Sequence, residues 1–140
     1  MFVIDGKGLD GHFTGDNQAL CAKRQGLTAI AVFGGARDIA GYRKIEMPLY
    51  CTCPSTADKP SNFKPSAYNV PIEVGGVLVR PGDVIVGDED GIVAIPAELL
   101  DKVKENLKLI DSVEAAMQEA LKNDAPLDEL SAIITRKKPK

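Results

Sequence analysis

The sequence predicts an α/β domain over residues 1–135 that ends in a long helix. An apolar run at residues 3–5, a helical stretch at 16–25 and a second apolar run at 28–33 follow one another with short connections. Strand, helix and strand in this order are typical of a parallel βαβ unit. Short alternating runs between glycine turns come next, and a long run of helical spacing follows them.

The first part of the chain supplies the βαβ unit. Residues 3–5 form a very short strand, and the glycine-rich loop 6–15 separates it from the helix. Ala19 and Leu20 are apolar positions of that helix, which ends at a glycine. Residues 28–33 are apolar and rich in β-forming side chains, which predicts a buried strand.

The middle of the chain predicts shorter pieces. Residues 36–45 form an irregular or helical segment, 48–51 form a brief strand, and the proline-containing loop 54–65 has no periodicity. Short strands of a meander follow at 68–74, 77–79, 84–86 and 92–95. The acidic turns between these strands lack the ligand pattern of a calcium loop, so hairpin turn chemistry explains them better.

The last third of the chain predicts two helices. Apolar residues keep helical spacing from Ala97 to about Asn123, which gives a helix of about 40 Å at 1.5 Å per residue. Because this length exceeds the diameter of a domain of this size, part of the helix is expected to pack on a neighbouring subunit. A short helix through Ile134 follows, and residues 136–140 form a basic tail that is expected to fray.

Composition narrows the class of protein. The 140 residues include 17 basic and 20 acidic side chains, a net charge of −3, and this mild acidity disfavours a general nucleic-acid binder. No apolar run reaches the roughly 18 residues of a membrane span, and the N-terminal residues lack the pattern of a signal peptide. The three cysteines do not make a disulfide framework. Together these features predict a cytoplasmic protein.

Two motifs suggest a cofactor or metal site that the rest of the sequence does not support. Gly6, Gly8 and Gly11 match a dinucleotide-binding fingerprint, but they do not open directly into a helix, and no acidic residue ends a strand about 20 residues further on. Cys51 and Cys53 form a C-x-C pair without the spacings of a zinc site. We interpret both cysteines as small buried hydrophobic residues.

The turn after the predicted buried strand is a better candidate site. Gly34 and Gly35 would allow a sharp turn and a close ligand approach. They place Arg37 and Asp38 beyond the carboxyl end of the strand, where open α/β sheets bind ligands. Arginine can hold a carboxylate and aspartate can bind Mg²⁺. An ordinary surface Arg–Asp pair is the alternative.

Asp16 stands at the start of the first predicted helix, in the other candidate turn. It is either a simple N-cap or part of an anion site formed by the backbone N–H groups of the first helical turn. If the two strands are parallel neighbours, both turns open on the same edge. Asp16, Arg37 and Asp38 are therefore expected to converge on one crevice.

Three segments of the sequence carry a family resemblance in combination. They are Gly15-Asp16, Gly34-Gly35-Ala36-Arg37-Asp38, and the P-G-D…D-x-D-G stretch within residues 74–93. With the spacing of Gly15 from Arg37, they resemble the 4-hydroxy-4-methyl-2-oxoglutarate aldolase family, which also contains the regulator of ribonuclease activity A (RraA-like) proteins. The resemblance extends from Val3 to about Leu130.

This resemblance implies a fold and an activity. The fold is similar to the swivelling phosphohistidine domain, a layered α/β arrangement that assembles as trimers or dimers of trimers. Enzymes of the family cleave 4-hydroxy-2-oxo diacids to pyruvate and a second oxo acid, and many decarboxylate oxaloacetate. The implied cofactor is Mg²⁺ or Mn²⁺. The implied partners are a small 2-oxo acid and further subunits, with no nucleic acid and no membrane.

The resemblance also implies roles for individual residues. Arg37 would hold the pyruvyl carboxylate or the enolate oxygen, and Asp38 would anchor the metal, largely through waters. Asp16 would orient a metal-bound water that shuttles the proton. The substrate loop would comprise Gly15, Asp16, Asn17 and Gln18.

Two departures from the family pattern bear on these expectations. Gly41 stands where the family has an acidic residue, which is expected to weaken a contact around the metal. Family members also have a substantial N-terminal segment before the strand that here begins at Met1, and its absence is expected to leave an open sheet edge. A separate polypeptide or oligomerisation would cover that edge, unless the chain is a truncated form.

Three functions follow as alternatives. The first is a metal-dependent lyase, acting alone or as one subunit of a split enzyme. The second is a protein-binding regulator like the ribonuclease-regulator branch. The third is a non-catalytic subunit that completes the sheet of another chain.

Overall fold

The computed structural model describes residues 1–137 and divides them into two units. The first unit is Met1–Pro96, and the second begins at Ala97. This division does not test whether residues 1–135 act as one domain, so that stays a prediction. Of the basic tail, Arg136 and Lys137 end a 3-10 turn, Lys137 pairs with Glu114, and residues 138–140 lie outside the described part.

A three-stranded parallel sheet organises the first unit. Its strands are β1 (Phe2–Asp5), β2 (Ile30–Ala36) and β3 (Leu49–Pro54), in the order β1-β2-β3. Helix α1 (Asp16–Arg24) connects β1 to β2, and α2 (Ile39–Lys44) connects β2 to β3. The register pairs Phe2 with Ile30 and Ile30 with Leu49. The predicted parallel βαβ unit is therefore confirmed, with β2 at the centre.

Strand β2 extends further than its composition indicates. Glycines 34 and 35, which were expected to form a turn, continue the strand to Ala36. A Cβ atom on Gly34 would come within 2.7 Å of the Phe13 ring, and one on Gly35 within 2.8 Å of the Gly11 carbonyl oxygen. These glycines therefore allow the segment before α1 to pack closely on β2, and the turn itself lies at Arg37 and Asp38.

The core of this unit lies between the sheet and its two helices. Ala19 of α1, Ile30 of β2, Tyr42 of α2 and Met47 form its buried centre. Tyr42 and Ile30 are the largest side chains in it that are almost completely buried. Burial of apolar surface at roughly 25 cal/mol per Å² stabilises this packing and fixes both helices on the sheet. The ends of α1 and β2 are thereby held in place.

Two hairpins complete the first unit. The first pairs β4 (Ile72–Val74) with β5 (Val77–Val79), and the second pairs β6 (Val84–Gly87) with β7 (Ile92–Ile95). The acidic turn at residues 88–91 is a hairpin turn as expected. The turn at residues 80–83 is not, because it joins two separate sheets instead of continuing one meander. The Asp88 carboxylate accepts hydrogen bonds from the backbone N–H groups of Asp90 and Gly91, so the acidic turn binds its own backbone.

The second unit is a helical pair. A 3-10 turn at Ala97–Leu99 leads into α3 (Leu100–Lys122), and α4 (Leu127–Ile134) follows after a short turn. Val113 and Ala120 of α3 and Ile133 of α4 are its buried centre. The predicted α/β fold with short strands and a long C-terminal helix is confirmed. At 1.5 Å per residue, α3 is about 35 Å long.

Candidate functional site

A cleft of about 240 Å³ opens where β2 ends and α1 begins. Its lining residues come from the segment before α1, from the first turn of α1, from the turn after β2 and from the 54–65 loop. They are His12, Phe13, Thr14, Gly15, Asp16, Asn17, Gln18, Arg37, Asp38 and Lys59. All six residues that the sequence analysis selected for the site lie in this cleft. Their chemical roles stay predictions, because position alone does not test them.

The arrangement of the backbone explains this convergence. His12 forms a parallel bridge with Gly35, and the Phe13 N–H donates to the Gly35 carbonyl at 2.9 Å. The Arg37 N–H donates to the Thr14 carbonyl at 3.0 Å. The segment before α1 therefore runs alongside the end of β2, and this brings the start of α1 beside Arg37.

Arg37 and Asp38 form an ion pair at the mouth of the cleft. The Arg37 Nε lies 3.3 Å from the Asp38 Oδ2, and both side chains are about half exposed. Asp38 has a left-handed backbone, with φ at 60°, a conformation in which aspartate is enriched over most other residues. Its carbonyl accepts a hydrogen bond from the Gly41 N–H at 2.8 Å, which begins α2. The turn thus presents a cation and an anion together to a ligand.

Two glycines let the acidic side chains approach their neighbours. A Cβ on Gly15 would lie 2.7 Å from the Asp38 Oδ2, and a Cβ on Gly41 would lie 2.5 Å from the Asp16 Cβ. Real Cβ atoms essentially never come that close to another atom. The Asp38 carboxylate therefore lies over Gly15, and the Asp16 carboxylate lies over Gly41.

The second of these contacts gives a structural meaning to the missing acidic residue. Position 41, where the family resemblance leads one to expect an acidic side chain, has no room for one because Asp16 occupies the adjacent space. The space next to position 41 of α2 therefore holds a carboxylate after all, but it is the carboxylate of Asp16, which belongs to α1. The cleft therefore has two carboxylates that could bind a cation, those of Asp16 and Asp38.

The chemistry of these donors fits a Mg²⁺ or Mn²⁺ ion. Within residues 1–137, no group of three or more His, Cys, Asp or Glu side chains is arranged to hold a metal. Mg²⁺ is usually bound by only one or two carboxylates and completes its shell with waters and substrate oxygens. Asp38, which is open to solvent, could be such a ligand, with Asp16 beside it.

A buried hydroxyl pair joins a residue of the cleft to the core. The Thr14 Oγ1 and the Tyr42 hydroxyl are hydrogen-bonded at 2.6 Å, and each residue is only 2% exposed. Burial raises the pKa of the Tyr42 phenol above its ordinary value, whereas the hydrogen bond from Thr14 lowers it and the nearby Asp16 and Asp38 carboxylates raise it. The phenol therefore stays neutral and connects the core to the cleft.

Four further residues of the cleft, His12, Phe13, Thr14 and Lys59, do not stand out in the sequence as site residues. The 54–65 loop has no periodicity, so no local sequence signal predicts that Lys59 lies near the end of β2. The structure places it there through long-range contacts: the His12 N–H donates to the Ala57 carbonyl at 2.9 Å, and His12 forms a parallel bridge with Asp58. The one available signal was that the chain has a single histidine, just before the candidate helix.

The sequence of the chain is similar to a known family and to proteins named as aldolases. The family model described as RraA-like, Aldolase/RraA, matches residues 1–94. A protein of Halalkalibacterium halodurans, provisionally named 4-hydroxy-4-methyl-2-oxoglutarate aldolase, is 33% identical over 126 residues, which are 89% of this chain and 59% of that protein. A 4-hydroxy-4-methyl-2-oxoglutarate aldolase of Thermus thermophilus is 31% identical, and the match covers 69% of this chain and 58% of that protein.

A solved structure adds a second kind of relative. The crystal structure of Streptomyces coelicolor RraAS2, described as an unusual member of the RNase ES inhibitor RraA protein family, matches with a TM-score of 0.72 and 31% identity. The match covers 84% of this chain and 61% of the RraAS2 chain. Relatives with the same fold therefore have names of two kinds, aldolase and ribonuclease inhibitor.

The fold and the cleft define an α/β protein with a carboxylate- and arginine-lined site at a sheet edge. Because the family model matches most of the chain, the protein belongs to the RraA-like family, as the sequence resemblance predicted. The chain spans a little under 60% of the length of both aldolase-named relatives. Among residues 1–137, no helix is both long enough and apolar enough to cross a membrane.

Proposed function

We propose that the protein is a divalent-metal-dependent lyase of 2-oxo acids. It would cleave 4-hydroxy-2-oxo diacids of the 4-hydroxy-4-methyl-2-oxoglutarate type to pyruvate, or decarboxylate oxaloacetate. The observation that carries this proposal is that Asp16, Arg37 and Asp38 line one cleft in a member of a family whose relatives are named as aldolases.

The residues of the cleft suit the chemistry of both reactions. Each reaction breaks a carbon–carbon bond and leaves the enolate of pyruvate, so negative charge grows on the C2 oxygen. The guanidinium of Arg37 would hold the C1 carboxylate or that oxygen through a planar pair of donors. Stabilisation of charge that develops in the transition state is usually the largest single contribution to catalysis.

The first turn of α1 offers a second set of donors. Gly15 has no side chain that could cap this helix, and the residues of its first turn, Asp16, Asn17 and Gln18, line the cleft. The backbone N–H groups of a first helical turn favour a carboxylate. The substrate would therefore be held between the start of α1 and Arg37.

Asp38 and Asp16 have separate proposed roles. Asp38 would hold Mg²⁺ or Mn²⁺, which supplies Lewis acidity toward the 2-oxo oxygen when it is bound. Asp16 would orient a water, bound at the metal when it is present, that takes the proton of the 4-hydroxyl group during cleavage of a 4-hydroxy-2-oxo acid. The contact of Asp16 with Gly41 would keep its carboxylate in reach of the substrate.

The assembly of the chain is part of this proposal. Leu107 and Leu121 of α3 are more than half exposed in this chain, which agrees with the expectation that α3 packs on a further subunit. We propose a homo-oligomer, a trimer or a dimer of trimers, or a complex with a chain that supplies what the longer relatives have in addition.

An assay of pyruvate release tests the lyase proposal. The purified chain is given oxaloacetate or 4-hydroxy-4-methyl-2-oxoglutarate with Mg²⁺, with a chelator, and as the Asp38→Ala variant. We expect metal-dependent turnover that the chelator abolishes and that Asp38→Ala lowers by at least about 100-fold, since a preorganised charge contribution of about 3 kcal/mol is lost. Asp88→Ala, in the second hairpin, is the matched control and should keep activity.

Two results would contradict the proposal. A folded protein without turnover of either substrate at any metal concentration would rule out the stand-alone enzyme. Turnover that is indifferent to both the chelator and Asp38→Ala would rule out the metal-dependent mechanism.

A protein-binding regulator is the second candidate, favoured by the match to RraAS2, whose family is described as ribonuclease inhibitors. This function would use the surface of the chain and would not need the Asp38 carboxylate. Capture of a ribonuclease that survives both a chelator and Asp38→Ala would support it. The lyase proposal makes no such prediction.

A further inference from the structure

His12 has a geometry that the functions described so far do not explain. Its Nδ1 lies 2.7 Å from the Ala57 carbonyl oxygen, and its side chain is only 15% exposed. A carbonyl oxygen can only accept a hydrogen bond, so Nδ1 must carry the hydrogen. The other ring nitrogen, Nε2, is therefore the one that can gain or lose a proton.

One carboxylate lies close to this second nitrogen. The Nε2 lies 3.4 Å from the Asp58 Oδ1, and the Asp58 carboxylate is almost fully exposed at the rim. His12 is also one of the residues that line the cleft containing Asp16, Arg37 and Asp38. His12 therefore contacts an exposed carboxylate at the rim and belongs to the lining of the site, which suits a group that passes protons from one to the other.

The segment that holds the ring is built closely against it. A Cβ on Gly11 would come within 2.3 Å of the Lys59 Cα, so the glycine lets the two backbones touch. The Phe13 and Phe63 rings meet edge to face at 4.9 Å between centroids, which ties the loop down a second time. Of the charged groups nearby, the Asp58 carboxylate lies 3.4 Å from Nε2, and Lys59 and the three site residues line the same cleft as His12.

The proposed reaction needs a proton at a defined atom. Whether a 4-hydroxy acid is cleaved or oxaloacetate is decarboxylated, the product is a pyruvate enolate, and its C3 carbon must be protonated. Decarboxylation of oxaloacetate also consumes one proton from solvent in each turnover, because carbon dioxide leaves without one. A site for this reaction therefore needs a proton route that connects solvent to C3.

We infer that His12 is the proton donor to C3 of the pyruvate enolate, resupplied from solvent through Asp58. This inference rests on the proposed lyase function and deepens it. In the donor step the electron pair on the C2 oxygen re-forms the carbonyl, the C2–C3 π pair forms the new C3–H bond, and Nε2 gives up its proton and becomes neutral. A proton from solvent, passed by Asp58, then restores the charged ring.

Exchange of the methyl hydrogens of pyruvate isolates this step from bond cleavage. Pyruvate is incubated with the protein and Mg²⁺ in D₂O, and deuterium incorporation is followed by mass spectrometry. The His12→Asn variant keeps an N–H donor near the position of Nδ1 but has no nitrogen that titrates. We expect exchange to slow by about 100-fold or more, the contribution typical of a positioned acid or base.

Binding of oxalate, a planar analogue of the enolate, is measured by calorimetry in parallel. We expect His12→Asn to bind oxalate as the wild type does, because Arg37 and Asp38 remain. A further readout is chemical rescue: added imidazole should restore exchange in His12→Ala but not in Asp38→Ala. Asp58→Asn should slow exchange less than His12→Asn does, since water can also reach the rim.

The outcomes separate the inference from the function beneath it. Wild-type exchange and turnover with undiminished exchange in His12→Asn would overturn the role of His12 and leave the lyase intact. Equal losses of oxalate binding and exchange in His12→Asn would show that His12 has a structural role and would also overturn its role as proton donor. A wild-type protein with neither turnover nor exchange would remove the lyase proposal and this inference together.

Discussion

Single atoms decide the geometry of the cleft at residue scale. Gly15 and Gly41 each lie where one additional carbon would strike a carboxylate, of Asp38 and Asp16 respectively. Neither glycine has a positive φ, so the requirement comes from space and not from backbone conformation. A close contact of this kind orients a carboxylate without any hydrogen bond.

Gly41→Ala tests the contact with Asp16. Alanine is the better helix former by about 1 kcal/mol, so without the contact the change would stabilise α2. Because the added Cβ would lie 2.5 Å from the Asp16 Cβ, we expect Asp16 to move and pyruvate release to fall by about 10-fold or more, the sensitivity typical of a displaced catalytic group. The rate of pyruvate release and helix content by circular dichroism are measured together.

Lys44→Ala in the same helix is the matched control, because Lys44 is exposed in the last turn of α2. It should leave pyruvate release unchanged. Full activity in Gly41→Ala would show that Asp16 has room to adjust and that its position is not fixed by this contact.

At the scale of elements, α2 and the segment before α1 are joined by the bond between Thr14 and Tyr42. Both residues are buried, and Thr14 lines the cleft. Removing one partner leaves the other without a hydrogen bond in a buried place, whereas removing both leaves two apolar groups. The bond therefore couples the helix that begins after Asp38 to the segment that begins at His12.

A double-mutant cycle with Tyr42→Phe and Thr14→Val measures this coupling. We expect each single change to lower the free energy of unfolding by about 1–3 kcal/mol, and the double change to cost less than the sum of the two. Urea denaturation of the four proteins gives the values. Strictly additive losses would mean that the hydrogen bond does not couple the two segments.

The same elements show what the sequence could and could not predict. The βαβ order, both hairpins and the two C-terminal helices follow from periodicity and turn residues, which are local signals. The predicted end of β2 was wrong because Gly34 and Gly35 were interpreted as a turn. Glycine is needed at these two positions because Phe13 and Gly11 pack closely against the strand. Lys59 was missed because its place depends on the pairing of its loop with His12, which is 45 positions from Ala57.

At the scale of the whole molecule, the apolar stripe predicted along α3 is partly buried and partly exposed. Val113 and Met117 pack in the helical pair, while Leu107 and Leu121 are exposed. These two leucines are fourteen residues apart, about four helical turns, so they share one face of the helix. The pair formed with α4 therefore covers only part of the stripe.

Leu107→Asn tests whether this face mediates self-association. If α3 packs on a further subunit, the change should reduce the fraction of oligomer, because burying an amide without a partner costs about 1–3 kcal/mol. Light scattering after size exclusion gives the mass, and Lys108→Asn on the neighbouring position is the control. An unchanged oligomer would place the subunit contact elsewhere, and a monomeric wild type would contradict self-association.

The single histidine has a practical consequence. Since His12 is the only imidazole in the chain and lines the cleft, its two ring nitrogens give one set of resonances in a ¹⁵N-labelled sample, with no assignment needed. Those signals distinguish the tautomer with hydrogen on Nδ1 from the alternative. Titrating the labelled protein with metal, and then with a candidate acid, would turn the cleft into its own spectroscopic reporter before any turnover is detected.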